Sequence, residues 1–174
     1  MAALSEVIEE PLTSQALAVR YRQLCADPLL ENIPGKIELD VLGRILMSPA
    51  SNYHGMLQSK LSQLLAPLGG RAIAEASVVT DSGVFVADVA WASPDFMANH
   101  GNETPFTRAP ELCIEIASPS NSRKALREKI DAYLAAGANE AWILFAQSKR
   151  TDMFDASGLI TKSRYPVDLT SVFD

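Results

Sequence analysis

The sequence lacks the features that mark disulfide scaffolds, zinc knuckles, membrane proteins and secreted proteins. Its two cysteines, Cys25 and Cys113, are too far apart in sequence for a zinc knuckle or a redox pair, and we predict that both are buried small hydrophobic residues. No apolar run approaches the roughly 20 residues that span a bilayer. The start, MAALSEVIEE, has neither the basic region nor the apolar core of a signal peptide. We therefore expect a cytoplasmic protein.

Positive charge is also scarce. Fifteen Lys and Arg residues stand against 21 Asp and Glu residues, which gives a net charge of -6. This balance argues against a protein that coats nucleic acid by charge alone, although it allows an enzyme with a locally basic groove. With 174 residues, 48% of them hydrophobic, the chain can bury a substantial core, so we expect one domain over 1–174, whose first 30 or so residues form a helical extension.

The hydrophobic pattern predicts a mixed α/β fold. Apolar residues at helical spacing indicate three helices, at residues 11–26, 51–65 and 122–136. Short runs rich in strand formers indicate strands at 36–39, 44–47, 72–79, 84–91, 111–117 and 140–146, and a hairpin over 150–165. A loop covers about 93–110. Several runs are apolar on both faces, which is typical of a mixed central sheet flanked by helices.

Two of the predicted strands carry a carboxylate within an apolar run. Asp88 interrupts VFVADVAW, and Glu115 interrupts LCIEIA. A buried, ionised carboxylate is costly unless it is hydrogen-bonded, paired with a cation or bound to a metal. Two such carboxylates on neighbouring strands would suit a divalent cation such as Mg2+, which prefers carboxylate, carbonyl, water and phosphate oxygens. The structural alternative is that each carboxylate is held at a strand end by backbone N–H groups.

The helix after Glu115 supplies basic residues. Lys129 lies at the margin of its apolar face, from which the ammonium group can reach the preceding strand. Alone, Lys129 would more often be a surface lysine. Arg123, Lys124 and Arg127 are candidates for phosphate contacts, or they form the solvated face of the helix.

Two upstream residues are candidates for the neighbourhood of the site. They are Glu38, in the predicted strand at 36–39, and His54, in the first turn of the predicted helix at 51–65. The alternatives are that Glu38 is an exposed hairpin residue and that His54 is a hydrogen-bonded histidine at the rim of its helix.

The series GRILMSPASNYHG, VFVADVAWASPDF and PELCIEIASPSNSRKALREKIDAYLAAGANEAWIL resembles the Uma family of restriction endonucleases, within the PD-(D/E)XK nuclease superfamily. The resemblance covers nearly all of the chain after about residue 30. It implies a restriction-endonuclease-like α/β fold, in which Asp88 and Glu115 bind Mg2+ together with the backbone carbonyl of Ile116. It also implies that Lys129 acts in catalysis. Because the hairpin of Glu38 and the helix of His54 lead toward the same sheet edge in the family, the resemblance implies that both residues lie near the site without being indispensable.

The chain departs from the family pattern at three positions. Ala117 stands where a lysine is expected two residues after the Glu, and Ala87 stands where a proline is typical before the Asp. Ala125 replaces an Asp four residues before Lys129. The lysine function is therefore predicted to reside on the helix, at Lys129.

These patterns lead us to expect a Mg2+-dependent endonuclease that hydrolyses DNA phosphodiester bonds, with Mn2+ as a possible substitute. The resemblance also implies a homodimer, since cutting both strands calls for two sites. Two alternatives remain open. One is a non-catalytic nucleic-acid-binding or scaffold protein that kept the fold. The other is a metal-dependent enzyme for a smaller phosphoester or a nucleotide, which would suit the acidic composition.

Overall fold

The computed structural model describes residues 10–30, 35–48, 51–119 and 121–173. Its α-helices are α1 Ser14–Cys25, α2 Asn52–Leu65, α3 Pro94–His100 and α4 Arg123–Ala135. Its strands are β1 Lys36–Asp40, β2 Ile45–Ser48, β3 Arg71–Thr80, β4 Gly83–Ala92, β5 Leu112–Ile116, β6 Glu140–Phe145, β7 Arg150–Asp155 and β8 Gly158–Ile160. Two short 3-10 helices span Ala66–Leu68 and Leu169–Phe173. The predicted fold class is confirmed.

The strands form one mixed sheet. Its order is β2-β1-β4-β5-β6-β7-β8, and β3 pairs with the other edge of β4. Only the β5–β6 pair is parallel among the pairs of the described strands. Because parallel neighbours need a crossover, α4 connects β5 to β6 across one face of the sheet.

Both long helices begin where the sequence predicts. The Ser51 side chain accepts a hydrogen bond from the N–H of His54 at the start of α2. The Ser122 side chain does the same for the N–H of Ala125 at the start of α4. These caps satisfy backbone donors that have no partner within the helix. They fix where each helix starts, and hence which side chains of its first turns face the sheet.

The helices cover both faces of the central strands. The α4 residues Leu126, Ile130 and Tyr133 pack in one buried cluster with Cys113. The α2 residues Leu57, Leu61 and Leu65 pack in a second cluster with Ile114 and Ile116. Every residue of β5 is buried as a result. Glu115 therefore lies in a strand that has no solvated face.

The first helix closes a third cluster near the start of β4. Leu17, Ala18 and Tyr21 of α1 pack there with Leu39 and Val84. The described part of the predicted N-terminal extension is thus packed against the sheet. Residues 1–9 of that extension lie outside the described residues.

Two local predictions are wrong. The expected loop at 93–110 contains α3, which starts with the capping pair Ser93 and Pro94, a pattern that favours a helix start. Cys25 is exposed at the end of α1, whereas Cys113 is buried as expected. A helix of seven residues is too short to show the repeated apolar spacing that identified the other helices. No helix in the described parts of the chain is both long and apolar enough to cross a membrane.

Candidate active site

The site lies along one edge of β4, between the two strands that share that edge. β1 pairs with β4 only at Gly83 and Val84, and β5 pairs with it from Val89 to Trp91. Asp88 lies in the interval that neither strand occupies. The gap leaves backbone groups of β4 and β5 without strand partners, and buried groups of this kind must find other ones.

Side chains replace the missing strand in that gap. The N–H of Val86 donates to Glu38 Oε1 at 2.8 Å, and the Val86 carbonyl accepts from Lys36 Nζ at 2.9 Å. The N–H of Ile116 donates to Asp88 Oδ2 at 2.7 Å. The polar residues of the site are therefore tied to the backbone of the sheet, which holds them in place.

Asp88 is surrounded by donors. Its Oδ1 atom lies 2.8 Å from Lys36 Nζ and 3.2 Å from His54 Nε2. Burial by itself raises the pKa of Asp88, which is 1% exposed, but the hydrogen bond from His54 and the charge of Lys36 lower that pKa to about 2. Asp88 is therefore an anion at neutral pH.

Glu115 has a different environment on each oxygen. Oε1 accepts a 2.7 Å hydrogen bond from the hydroxyl of Tyr133, and Oε2 lies 3.4 Å from Lys129 Nζ and 3.7 Å from Lys36 Nζ. Burial raises the pKa of Glu115, while both lysines oppose that rise. Burial, reinforced by the charge of Glu115, also raises the pKa of Tyr133 well above its usual value, so this hydroxyl keeps its proton and donates.

The two lysines have distinct positions. Lys129 Nζ contacts Glu38 Oε1 at 2.6 Å and Glu115 at 3.4 Å. Lys129 thus reaches Glu115 in the strand that precedes its helix, whereas the ammonium group that contacts both Asp88 and Glu115 is that of Lys36. Burial disfavours the charge on Lys36, but Glu115, Asp88 and Glu38 outweigh burial and raise its pKa.

A cavity of about 310 Å3 opens onto these groups. Its lining residues are Gly35, Lys36, Ser48, His54, Glu75, Asp88, Glu115, Ile116, Ser118, Asn121 and Lys129. Both upstream candidates lie at the site, since His54 contacts Asp88 and Glu38 contacts Lys129. The alternative of Glu38 as an exposed hairpin residue is wrong, because Glu38 is 5% exposed. The sequence-predicted carboxylates and Lys129 thus share one cavity.

The basic residues at the start of α4 do not line this cavity. The side chain of Lys124 pairs with Glu128, and that of Arg127 pairs with Asp131 while its guanidinium stacks on Phe154. All three basic residues are exposed. Their contact with phosphate stays a prediction, and it would have to occur outside the cavity.

Sequence reasoning missed three polar contributors, which are Lys36, Tyr133 and Glu75. Lys36 and Glu38 are two residues apart on one strand, so their side chains point to the same face, and this spacing was a usable signal. Tyr133 lies on the apolar face of its helix, so the sequence pattern does not reveal the contact of its hydroxyl with Glu115. Glu75 lines the cavity with φ at 56°, a left-handed conformation that is uncommon outside glycine, and nothing in the sequence indicated it.

The donor set suits a hard divalent cation. Asp88 Oδ1 and Glu115 Oε2 both face the ammonium group of Lys36, at 2.8 and 3.7 Å. Three carboxyl groups, those of Glu38, Asp88 and Glu115, face the two ammonium groups of Lys36 and Lys129. In the described parts of the chain, no group of three or more His, Cys, Asp or Glu residues is arranged to hold a metal ion. A cation here would therefore draw its remaining ligands from water, backbone carbonyl or phosphate oxygens, as Mg2+ commonly does.

Comparison with known proteins identifies a solved structure with a similar fold. A crystal structure of "a putative nuclease belonging to DUF820" from Anabaena variabilis ATCC 29413 is similar, with a TM-score of 0.62 and 18% sequence identity, over 81% of this chain and 93% of that chain. At this identity the likeness concerns the fold alone. No curated protein matches the sequence significantly. Residues 18–171 match the Uma2 family, which is described as "Putative restriction endonuclease". The chain therefore belongs to the Uma2 family, as its motifs predict.

Proposed function

We propose that this protein is a divalent-metal-dependent endonuclease that hydrolyses DNA phosphodiester bonds. The observation that carries the proposal is the convergence of Asp88 and Glu115 on one cationic atom, 2.8 and 3.7 Å from Lys36 Nζ. Membership in the family supports the reaction class. The proposed cation is Mg2+, for which Mn2+ can substitute.

Asp88 and Glu115 would hold the cation, with the backbone carbonyl of Ile116 as a further ligand. When bound, such an ion lowers the pKa of a water molecule and withdraws charge from a phosphate oxygen. His54 and the N–H of Ile116 fix the orientation of the Asp88 carboxylate. Tyr133 fixes Glu115 through Oε1, which leaves Oε2 directed to the lysines.

Lys129 supplies positive charge at the cavity. Its ammonium group is held by Glu38 and lies 3.4 Å from Glu115, so it stays near the proposed ion without occupying the point where the two carboxylates converge. A preorganised ammonium group in this position stabilises the negative charge that develops on a phosphate during hydrolysis. Arg123, Lys124 and Arg127 would contact the phosphates of a longer substrate beyond the cavity. We extend the proposal to a homodimer, because cutting both strands of a duplex calls for two sites.

The test is nicking and linearisation of a plasmid with Mg2+ or Mn2+, for wild type and for Asp88→Asn and Glu115→Gln. Both substitutions should lower the cleavage rate by more than the roughly 10–100-fold typical of losing an outer hydrogen-bond partner of a metal ligand. Glu140→Gln is the matched control. Glu140 is also a buried strand carboxylate, but it lies opposite Leu112, at the other end of β5 from Glu115. Equal cleavage by wild type and both site variants would contradict the proposal.

The net charge of -6 favours a second candidate, an enzyme for a smaller phosphoester. Duplex DNA, single-stranded DNA, a dinucleotide and a mononucleotide should therefore be compared in the same assay. Metal-dependent hydrolysis of the small substrates alone would select the second candidate. Cation binding without hydrolysis of any of the four would identify a non-catalytic protein, consistent with Ala117 and Ala125 at positions where the family has charged residues.

A further inference from the structure

We propose that Lys36 is the built-in counter-ion of this site. In the metal-free protein its ammonium group takes the place of the divalent cation between Asp88 and Glu115, and the cation displaces it on binding. This inference rests on the proposed function for the identity of the two ligands. It adds to that function one residue, Lys36, and one step, the displacement of its ammonium group by the cation. Neither the sequence motifs nor the comparisons assign a role to Lys36.

The contacts of Lys36 are those of a bound cation. Its Nζ atom lies 2.8 Å from Asp88 Oδ1, 3.7 Å from Glu115 Oε2 and 3.9 Å from Glu38 Oε1. It also donates to the carbonyl of Val86 at 2.9 Å. One atom thus meets oxygens from three carboxylates and one backbone carbonyl, which are the oxygen types that a hard divalent cation selects.

Electrostatics accounts for the position of Lys36 between the two carboxylates. Asp88 and Glu115 are 1% and 3% exposed, and two buried carboxylates that share a site repel each other. Lys129 neutralises only part of this charge, because its shortest contact is to Glu38. Lys36, in contrast, contacts both Asp88 and Glu115, and its charge therefore stabilises the fold by reducing their repulsion.

The same position makes Lys36 a competitor of the metal. A divalent ion that binds Asp88 Oδ1 and Glu115 Oε2 together would lie close to the position of Nζ, and the two cations would repel strongly at such short range. Lys36 is the first residue of β1 and its side chain is 12% exposed, so its ammonium group can move into the adjoining cavity that it lines. There it would face a phosphate held at the site.

The first experiment measures Mn2+ affinity by calorimetry, and thermal stability with EDTA and with Mn2+, for wild type and Lys36→Met. The substitution keeps much of the stem and removes the competing charge. We expect the variant to bind Mn2+ at least about tenfold more tightly. It should melt at a lower temperature than wild type in EDTA and gain more from added Mn2+. Lys162→Met is the matched control, since it removes an exposed lysine outside the site and should leave both quantities unchanged.

The outcomes separate this inference from the proposed function. Tighter binding by Lys36→Met than by a wild type that itself binds Mn2+ supports the inference. Binding by the variant alone would contradict displacement and the metal dependence of the native chain. Equal or weaker binding by the variant overturns the inference and leaves a metal-dependent nuclease intact. If neither protein binds Mn2+, both ideas are wrong.

A second experiment uses the wild-type protein and does not depend on the folding of a variant. Amine labelling followed by peptide mass spectrometry should show Lys36 poorly labelled in EDTA, because its ammonium group is ion-paired, and more strongly labelled when Mg2+ is added. Lys162 should be labelled equally in both conditions. Labelling of Lys36 that does not increase with Mg2+, at concentrations where calorimetry shows the ion bound, would contradict displacement.

Discussion

The hydroxyl of Tyr133 provides a sharp test of how the site is held together. Tyr133→Phe removes only the oxygen that donates to Glu115 Oε1 at 2.7 Å. The ring stays, and with it the edge-on packing against Phe85 at 6.4 Å between ring centroids. Tyr133 and Glu115 are 0% and 3% exposed, so water cannot readily replace the lost donor. The substitution therefore isolates one hydrogen bond to a buried carboxylate.

Hydrogen bonds to charged groups contribute about 1.5–3 kcal/mol to stability, and removing the donor leaves a buried acceptor unsatisfied, which costs about 1–3 kcal/mol. We expect Tyr133→Phe to lower the free energy of unfolding by about 2 kcal/mol. For a chain of this size that corresponds to a decrease in Tm of about 4–8 °C. Mn2+ affinity should fall as well, because Glu115 Oε2 is no longer oriented through Oε1.

The assay is urea unfolding monitored by tryptophan fluorescence, with Mn2+ calorimetry on the same samples. Tyr165→Phe is the matched control. The Tyr165 hydroxyl donates to the carbonyl of Glu111 at 3.2 Å, a longer bond to a neutral acceptor at a half-buried position. Its loss should cost about 1 kcal/mol or less and leave Mn2+ affinity unchanged. Similar losses of stability and unchanged Mn2+ affinity in both variants would refute the reasoning.

Two further substitutions probe charged groups at and away from the site. Lys129→Met should lower the cleavage rate steeply. It should also lower the free energy of unfolding by about 3 kcal/mol, because buried Glu38 loses its 2.6 Å partner. A stability equal to that of wild type in urea unfolding would show that this ion pair contributes little. Glu140→Gln should cost about 1–3 kcal/mol, because Glu140 accepts from Trp142, Ser163 and the N–H of Arg164, and an amide cannot accept all three bonds as well. The Mn2+ affinity and the cleavage rate of this variant should equal those of wild type in calorimetry and plasmid nicking. A loss of either would show that Glu140 contributes to the metal site.

Local sequence patterns determined the elements and the identity of the carboxylates. Leucines every four residues and a capping serine predicted α2, and a similar pattern predicted α4. Asp88 and Glu115 could be selected because a charge within an apolar strand is rare without a partner. These inferences depend on neighbours within a few positions along the chain, which is the range over which sequence patterns are informative.

The tertiary structure decided which cation each carboxylate meets. Lys36 is 52 residues from Asp88 in sequence, and Lys129 is 91 residues from Glu38. Their pairing arises because β1 and β5 share one edge of β4 and leave a gap that side chains must fill. Periodicity carries no information about that gap. The sequence alone therefore predicted a lysine at the site and chose Lys129, whereas the order of the strands placed Lys36 between the two carboxylates.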